Sequence, residues 1–338
     1  MARGPENSVA SMGEFALIDR LRRLVPTEAR GVTLGIGDDA AVLTFPGPVV
    51  ATCDIQIEGV HFTWDLAGPE DVGWRAVAVN LSDIAAMGGT PRFLLISMAL
   101  PTNTPVETVE GIYRGVAEIS VAFVVVVAGG NLSATSGPLV IDVTALGDGG
   151  RTLTRGGARP GDGVWITGEV GKGAAGRFLA LHPRLEVPER DVLIAAYRRP
   201  SPRVEAGKAL AGVPEVSAMI DTSDGTASDL LHLAEASKAG VKLEVDRLPA
   251  PQGLVHAARE AGCDLDAWTL AGGEDYELLF TAAREFEGQA AGLADRLGVP
   301  LTRIGEILPQ PEGRWIVDRG GQRRALSGRG WDHFQPRR

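Results

Sequence analysis

The sequence predicts an α/β (α+β) protein of two domains, and three observations carry that expectation. The chain has 338 residues, more than one hydrophobic core usually organises. Short apolar runs of strand length alternate, in both halves, with segments whose apolar residues recur at helical spacing. The stretch 147–163, which contains RTLTRGGARPGDG, is dense in Gly and Pro, as a passage between domains is. The expected division is a tail without order over 1–12, an N-terminal domain over 13–148 and a C-terminal α/β domain over 149–338.

The elements follow in order. Phe15, Leu17, Ile18, Leu21 and Leu24 mark a helix. After GIGDDAAVL (35–43), VVATCDIQIEGVHF (49–62) reads as a strand and its exit loop. Pro69 and Glu70 open a long helix that stops at Gly88-Gly89. FLLISMALP (93–101) is a strand closed by proline, 106–121 a helix, and the β-branched run before Gly129-Gly130 a buried strand. Residues 139–146 form another strand. In the second half, VWITG is a strand, GKGAAGRFLALH a helix, and VSAMIDTSDGTASDLLHLAEASKAG a strand, a loop and a helix. GGEDYELLFT is a loop that enters a strand.

Composition narrows the function classes. With 43 acidic against 33 basic residues the net charge is -10, so a basic stripe for nucleic acid is not expected. An acidic chain binds nucleotides when its carboxylates hold a divalent cation that holds phosphate. Cys53 and Cys263 are too few for a disulfide framework, which fits a reducing, cytoplasmic setting. The first dozen residues lack the pattern of a signal peptide, and the apolar run 121–128 is too short to span a bilayer, so no membrane segment is expected.

Acidic residues beside Gly or small residues then stand out: Asp38-Asp39, Asp54, Asp83, and Asp221 with Asp224. Mg²⁺ takes a few carboxylates, waters and substrate phosphates, and short aspartates leave room for the waters. Each has a plainer alternative. Asp38 and Asp39 suit a turn, and Asp224, taken alone, reads as the N-cap of the helix that follows. Asp83 could sit on a solvated face, yet AVAVNLSDIAAMGG is apolar almost all round, and the side of Asp83, opposite Trp74, Val77, Leu81 and Ala85, also carries Met87 and is flanked by Ile84. One polar notch in an apolar helix suggests contact with a ligand or metal. GKGAAG (171–176) fits a dinucleotide fingerprint, but HPRLEVPER follows its helix where a second parallel strand belongs, so the required βαβ context fails.

Seven ordered segments, GIGDDAAVL, CDIQIEGVHF, AVNLSDIAAMGGTP, GGNLSATSGPL, LTRGGARPGD, IDTSDGTASDL and GGEDYELLF, make the chain resemble the thiamine-monophosphate kinases over nearly its whole length. The resemblance implies the two-domain fold of the aminoimidazole-ribonucleotide-synthetase group, with N-terminal domains paired in a homodimer. It implies ATP and thiamine monophosphate as substrates, Mg²⁺ as cofactor and thiamine diphosphate as product, the last step of that coenzyme's synthesis. By motif, Asp39, Thr52, Cys53, Asp54, Asp83, Asn131, Asp221 and Asp224 are expected to hold metal. Thr52, Tyr113, Gly130, Asn131, Arg155 and Ser223 are expected at the nucleotide, and His61, Glu274 and Trp331 at thiamine phosphate. Asp224 and Arg155 are the residues expected to act in catalysis.

Taken alone, His61 reads as a satisfied loop histidine, Glu274 as a turn cap and Trp331 as the anchor of a C-terminal arm. Two positions depart from the family: Asn131 stands where GGD is common, bringing an oxygen without charge, and Cys53 stands where a hydroxyl is common. A neutral thiol is a poor Mg²⁺ ligand, which leaves the backbone of Cys53. The cysteines speak against sister enzymes: no Cys precedes Cys53, as selenophosphate synthetase would require, and none follows Cys263, as the hydrogenase maturation protein would. A nucleotide-binding protein without turnover is the remaining alternative, hinted at only by Asn131.

Overall fold

A computed structural model describes residues 7–327 and divides the chain into two compact units. The first holds the residues up to Ile84 and Gly89–Gly150, the second Ala85–Gly88 and the residues from Arg151 on.

In the first unit α1 (Val9–Met12) and α2 (Glu14–Arg22) precede a small hairpin, β1 (Val32–Leu34) with β2 (Val42–Leu43). Then come β3 (Val49–Ile57), α3 (Pro69–Ala86), β4 (Thr90–Pro101), α4 (Val106–Phe123), β5 (Val126–Thr135) and β6 (Val140–Asp148). The tail expected to lack order through Met12 is instead tied down from Asn7: Val9 N–H donates to the Thr104 carbonyl and Val106 N–H to that of Asn7, both at 2.9 Å. Four strands pair in the order β3-β6-β4-β5, and only β4 and β5 run parallel.

One face of this sheet is closed and the other part-open, as the alternation along β6 records. Ile141, Val143 and Ala145 are buried, and Asp142 and Thr144 between them are not. On β3 the row of Thr52, Asp54 and Gln56 pairs with those buried residues, so this row faces α3. Helix α3 begins with Pro69 in its first turn, where a missing N–H costs nothing, and stops before Gly88 at φ +70°. It meets α4 at backbone distance: a Cβ on Gly73 would stand 1.9 Å from the Ile112 carbonyl oxygen, and one on Gly115 1.9 Å from that of Glu70.

Strand β5 runs on beyond its expected end. Ala128 is the extra residue of a bulge, since Leu94 pairs with Val127 and Leu95 with Gly129, and pairing then continues through Asn131 to Thr135. Gly130 survives mid-strand because any Cβ there would lie 1.9 Å from the Ile96 carbonyl oxygen.

The second unit comprises β7 (Gly163–Thr167), α5 (Lys172–Leu181), α6 (Arg190–Arg198), α7 (Val204–Ala211), β8 (Val216–Asp221), α8 (Thr226–Ala236), β9 (Gly240–Glu244), α9 (Gln252–Ala261), α10 (Leu265–Ala271), β10 (Leu278–Ala282), α11 (Glu287–Leu297), β11 (Leu301–Leu308), β12 (Arg314–Val317) and β13 (Arg323–Ala325). Its sheet runs β13-β12-β9-β11-β7-β10-β8, antiparallel except for β12 beside β9. The fold is therefore α+β, within the expected α/β (α+β) class. Val164, Ile166, Ile220, Leu230, Leu233 and Leu279 form the core under this sheet, and a second cluster joins α5, α6, α9 and α10 around Leu179, Leu193, Leu254 and Trp268.

Candidate active site

In the first unit three predicted residues come together. Thr52 Oγ1 donates to Asp83 Oδ2 at 2.6 Å, and Asp83 is hydrogen-bonded to Asp54. Asn80, buried in α3, accepts from the Asp54 N–H at 3.1 Å and donates to the Ala76 carbonyl, so it fixes strand to helix beside the carboxyls. Burial, then the charge of Asp83 and its hydrogen bond, and last the charge of Asp142 push the Asp54 carboxyl up to about 6. Two carboxyls this close share a proton or a cation. Gln56, next along the same row, keeps a buried amide oxygen without a partner among the described residues. This all-oxygen set fits a hard divalent cation.

The other residues expected at metal are dispersed. Cys53 points to the opposite face of β3, where its thiol donates to Asp142 Oδ1 at 3.1 Å and is raised by that bond, by burial and by nearby carboxylates. Asn131 is exposed and pairs with Ser97, itself paired with Asp142, so it shares the face of Cys53 rather than that of Thr52 and Asp54. Asp39 lies exposed in the β1–β2 loop, its N–H donating to Asp38 Oδ1 at 2.8 Å. Among the described residues no group of three or more His, Cys, Asp or Glu is arranged to hold a metal ion by itself.

His61 accepts at Nδ1 from the Ile57 N–H at 3.0 Å, which puts any ring proton on Nε2. Tyr113 is buried in α4, and burial raises its phenol to about 12. Arg155 is exposed, its carbonyl accepting from Ser237 Oγ. Trp331 lies outside the described residues.

In the second unit, Asp221 ends β8 and is buried, and Ser223 and Asp224 follow in the loop before α8. Asp224 is not the N-cap its position suggests: Gly225 takes that place, and the Asp224 N–H donates to Asp229 Oδ2 at 3.2 Å. Asp229 is a residue the sequence reading missed. Burial, together with the charges of Asp221 and Asp224, raises it to about 8 against two backbone hydrogen bonds. Its signal was the spacing in TSDGTASDL, which returns a carboxylate to the loop one helical turn later.

In GGEDYE the family motif points to Glu274, which is half-buried like Asp275 beside it, whereas Glu277 is fully buried. Glu277 is 1% exposed and takes a two-pronged bond from Arg203, Nε at 2.6 Å and a terminal nitrogen at 2.5 Å, plus the Thr167 hydroxyl at 2.7 Å. Asp275 accepts from the N–H groups of Gly171 at 2.6 Å and Gly173 at 2.9 Å. Those amides open α5, so the anion position of the fingerprint-like GKGAAG is filled by the chain's own carboxylate. Around Asp275, Glu274 (φ +73°) and Tyr276 (φ +53°) are left-handed, each a strain of about 1–3 kcal/mol for a residue that is not glycine.

Comparison with known proteins fits this arrangement. Residues 37–148 match the family described as AIR synthase related protein, N-terminal domain, and 159–318 match its C-terminal domain. The thiamine-monophosphate kinase of Bacillus subtilis is 35% identical over 333 residues, 96% of this chain and 100% of that one. A crystal structure of thiamine-monophosphate kinase from Stenotrophomonas maltophilia K279a superposes with a TM-score of 0.79 at 34% identity, covering 93% of this chain and 98% of that one. The structure of AaThiL complexed with AMPPCP and TMP superposes with a TM-score of 0.75 at 33% identity, covering 96% and 97%. With two matched domains and relatives alike from end to end, the chain belongs to the thiamine-monophosphate kinase family of AIR synthase related proteins.

Proposed function

We propose that this protein transfers the γ-phosphoryl group of ATP to thiamine monophosphate, giving thiamine diphosphate and ADP, with Mg²⁺ as cofactor. The observation that carries this reading is likeness to kinases of that name along essentially the whole chain, joined to a buried all-oxygen group at Thr52, Asp54 and Asp83.

The acceptor is a phosphate monoester with a second pKa of about 6, so at neutral pH it is already a nucleophilic anion and needs no general base. The obstacle is repulsion between two anions. Mg²⁺, when bound, supplies positive charge against the phosphoryl oxygens. Asp54 and Asp83, oriented by Thr52 and Asn80, would hold it in the first unit, where Asp39 and Asn131 are outlying ligands; in the second unit Asp221 and Asp224 are the residues that would hold metal. Arg155 offers a guanidinium to a transferring phosphate. Ser223, Tyr113 and Gly130 serve the nucleotide in this reading, and His61, Glu274 and Trp331 the thiamine phosphate. Transfer is direct, without a phosphorylated enzyme.

The protein is proposed to work in the cytoplasm; among the described residues no helix is long and apolar enough to cross a membrane. It is proposed to pair as a homodimer through the N-terminal domain, where Val49 and Ile55 stand 47% and 43% exposed on the edge strand β3. Molar mass measured in solution tests the pairing, and a monomer would end it.

The test of function is purified protein with ATP, Mg²⁺ and thiamine monophosphate, following thiamine diphosphate by chromatography beside Asp224→Asn. Product from the wild type and little from the variant is expected. ATP bound without product, or phosphate transferred to the protein in the absence of acceptor, would overturn the reading.

A further inference from the structure

We propose that Asp275 is a positioning residue that holds the Glu274 loop and the Ser223 loop as one block, and so sets the affinity for the phosphate acceptor. This rests on the reading above that Glu274 meets thiamine monophosphate.

Three observations lead to Asp275. Its carboxylate is seated on the N–H groups of Gly171 and Gly173, at 2.6 and 2.9 Å. The N-cap of α5 is glycine, without a side chain to satisfy those donors, so a residue about a hundred positions away does so. The residues on both sides of Asp275 are left-handed without being glycine, a conformation that persists only where the surroundings impose it.

The same short loop is bonded on its other side to the proposed nucleotide and metal loop. Glu274 N–H donates to the Ser223 carbonyl at 2.9 Å and Tyr276 N–H to the Thr222 carbonyl at 3.0 Å. The contacts leave no slack: a Cβ on Gly273 would stand 2.2 Å from the Ser223 oxygen, and one on Gly173 2.5 Å from the Glu274 oxygen. Asp275 is therefore the fixed end of a chain of bonds running from α5 through Glu274 to Ser223. Without its two bonds the backbone at 274 and 276 relaxes toward negative φ, which turns the Glu274 side chain and loosens the Ser223 contact.

Asp275→Asn keeps the shape, but its NH₂ group must face one of the two N–H donors. Asp275→Ser is short and reaches one donor at most. In the kinase assay both variants are expected to raise the KM for thiamine monophosphate on the order of tenfold, with kcat at saturating acceptor within about twofold of wild type. In hydrogen exchange, the amides of Gly173, Glu274 and Tyr276 are expected to be protected in the wild type and to exchange faster in the variants. The β7 and β10 amides should be unchanged.

Unaltered KM and unaltered protection in a folded variant would overturn the proposal. So would a loss of kcat with KM unchanged, which is what a role in chemistry or general damage predicts. If neither variant folds, the wild type decides, since free exchange at Glu274 and Tyr276 is incompatible with a clamp. If the wild type makes no thiamine diphosphate, the kinase reading falls, and the exchange comparison still decides whether Asp275 holds the loop.

Discussion

At the residue scale, the aspartates of this chain divide by what faces them. Asp275 and Glu277 meet donors of their own chain and are consumed by the structure. Asp54 and Asp83 meet each other, a repulsive pairing that a hydroxyl and a shared proton only partly relieve. That difference separates a structural acid from one available to a cation. Asp83→Asn is expected to raise the Mg²⁺ concentration for half-maximal activity by about tenfold or more, the size of loss that follows disturbance of a metal's ligands. The metal-free variant should melt no lower than wild type, because a like charge beside Asp54 is gone. Mg²⁺ titrations of activity and thermal melts in a chelator check the two parts, and an unchanged Mg²⁺ requirement would remove Asp83 from the site.

At the element scale, the acidic pair owes its place to α3, which carries Asp83 and Asn80 over the Thr52–Asp54 row. Helix α3 is held by α4 at two glycine contacts, Gly73 against Ile112 and Gly115 against Glu70. Gly115→Ala drives a methyl group into the Glu70 carbonyl, at 1.9 Å before any adjustment. The helices must then part, at a cost of about 1–3 kcal/mol typical of overpacking. A drop in denaturation midpoint accompanied by a weaker response to Mg²⁺ is the expected outcome. A midpoint equal to wild type would mean that the crossing has room for a methyl group.

At the scale of the whole molecule, burial leads in raising several carboxyls above their ordinary 3.8, among them Asp54 to about 6, Asp275 to about 7 and Asp229 to about 8. Asp275 also feels Glu277, which raises it, and its two amides and Lys172, which lower it. A raised folded pKa means the native state binds the proton more tightly. The stability each group contributes is thus complete below about 3.8 and is lost as pH climbs through its folded value. In a chelator, the melting temperature of wild type minus that of Asp229→Asn should fall as pH rises from 5 to beyond 8. A difference that grows with pH would show that Asp229 is ionised in the fold.

The sequence by itself determined the alternation of strands and helices, the ends of α3 at Pro69 and Gly88, and the family, because local pattern and motif spacing are properties of neighbours along the chain. It also rejected GKGAAG as a dinucleotide loop, although it could not show what occupies those amides. Only the tertiary structure decided which acids share a site. Strand register put Thr52 and Asp54 on the buried row and Cys53 and Asn131 on the other, a one-residue alternation that motif matching does not weigh. Likewise β5 continues past Gly129 because a partner strand supplies hydrogen bonds that local propensity does not foresee. Asp229 and Asp275 became visible only when burial and a returning helix or a distant loop gave them their neighbours. The reason is common to all of these: a carboxyl's role is set by the charges and donors within hydrogen-bond reach, and those come from residues far away in sequence.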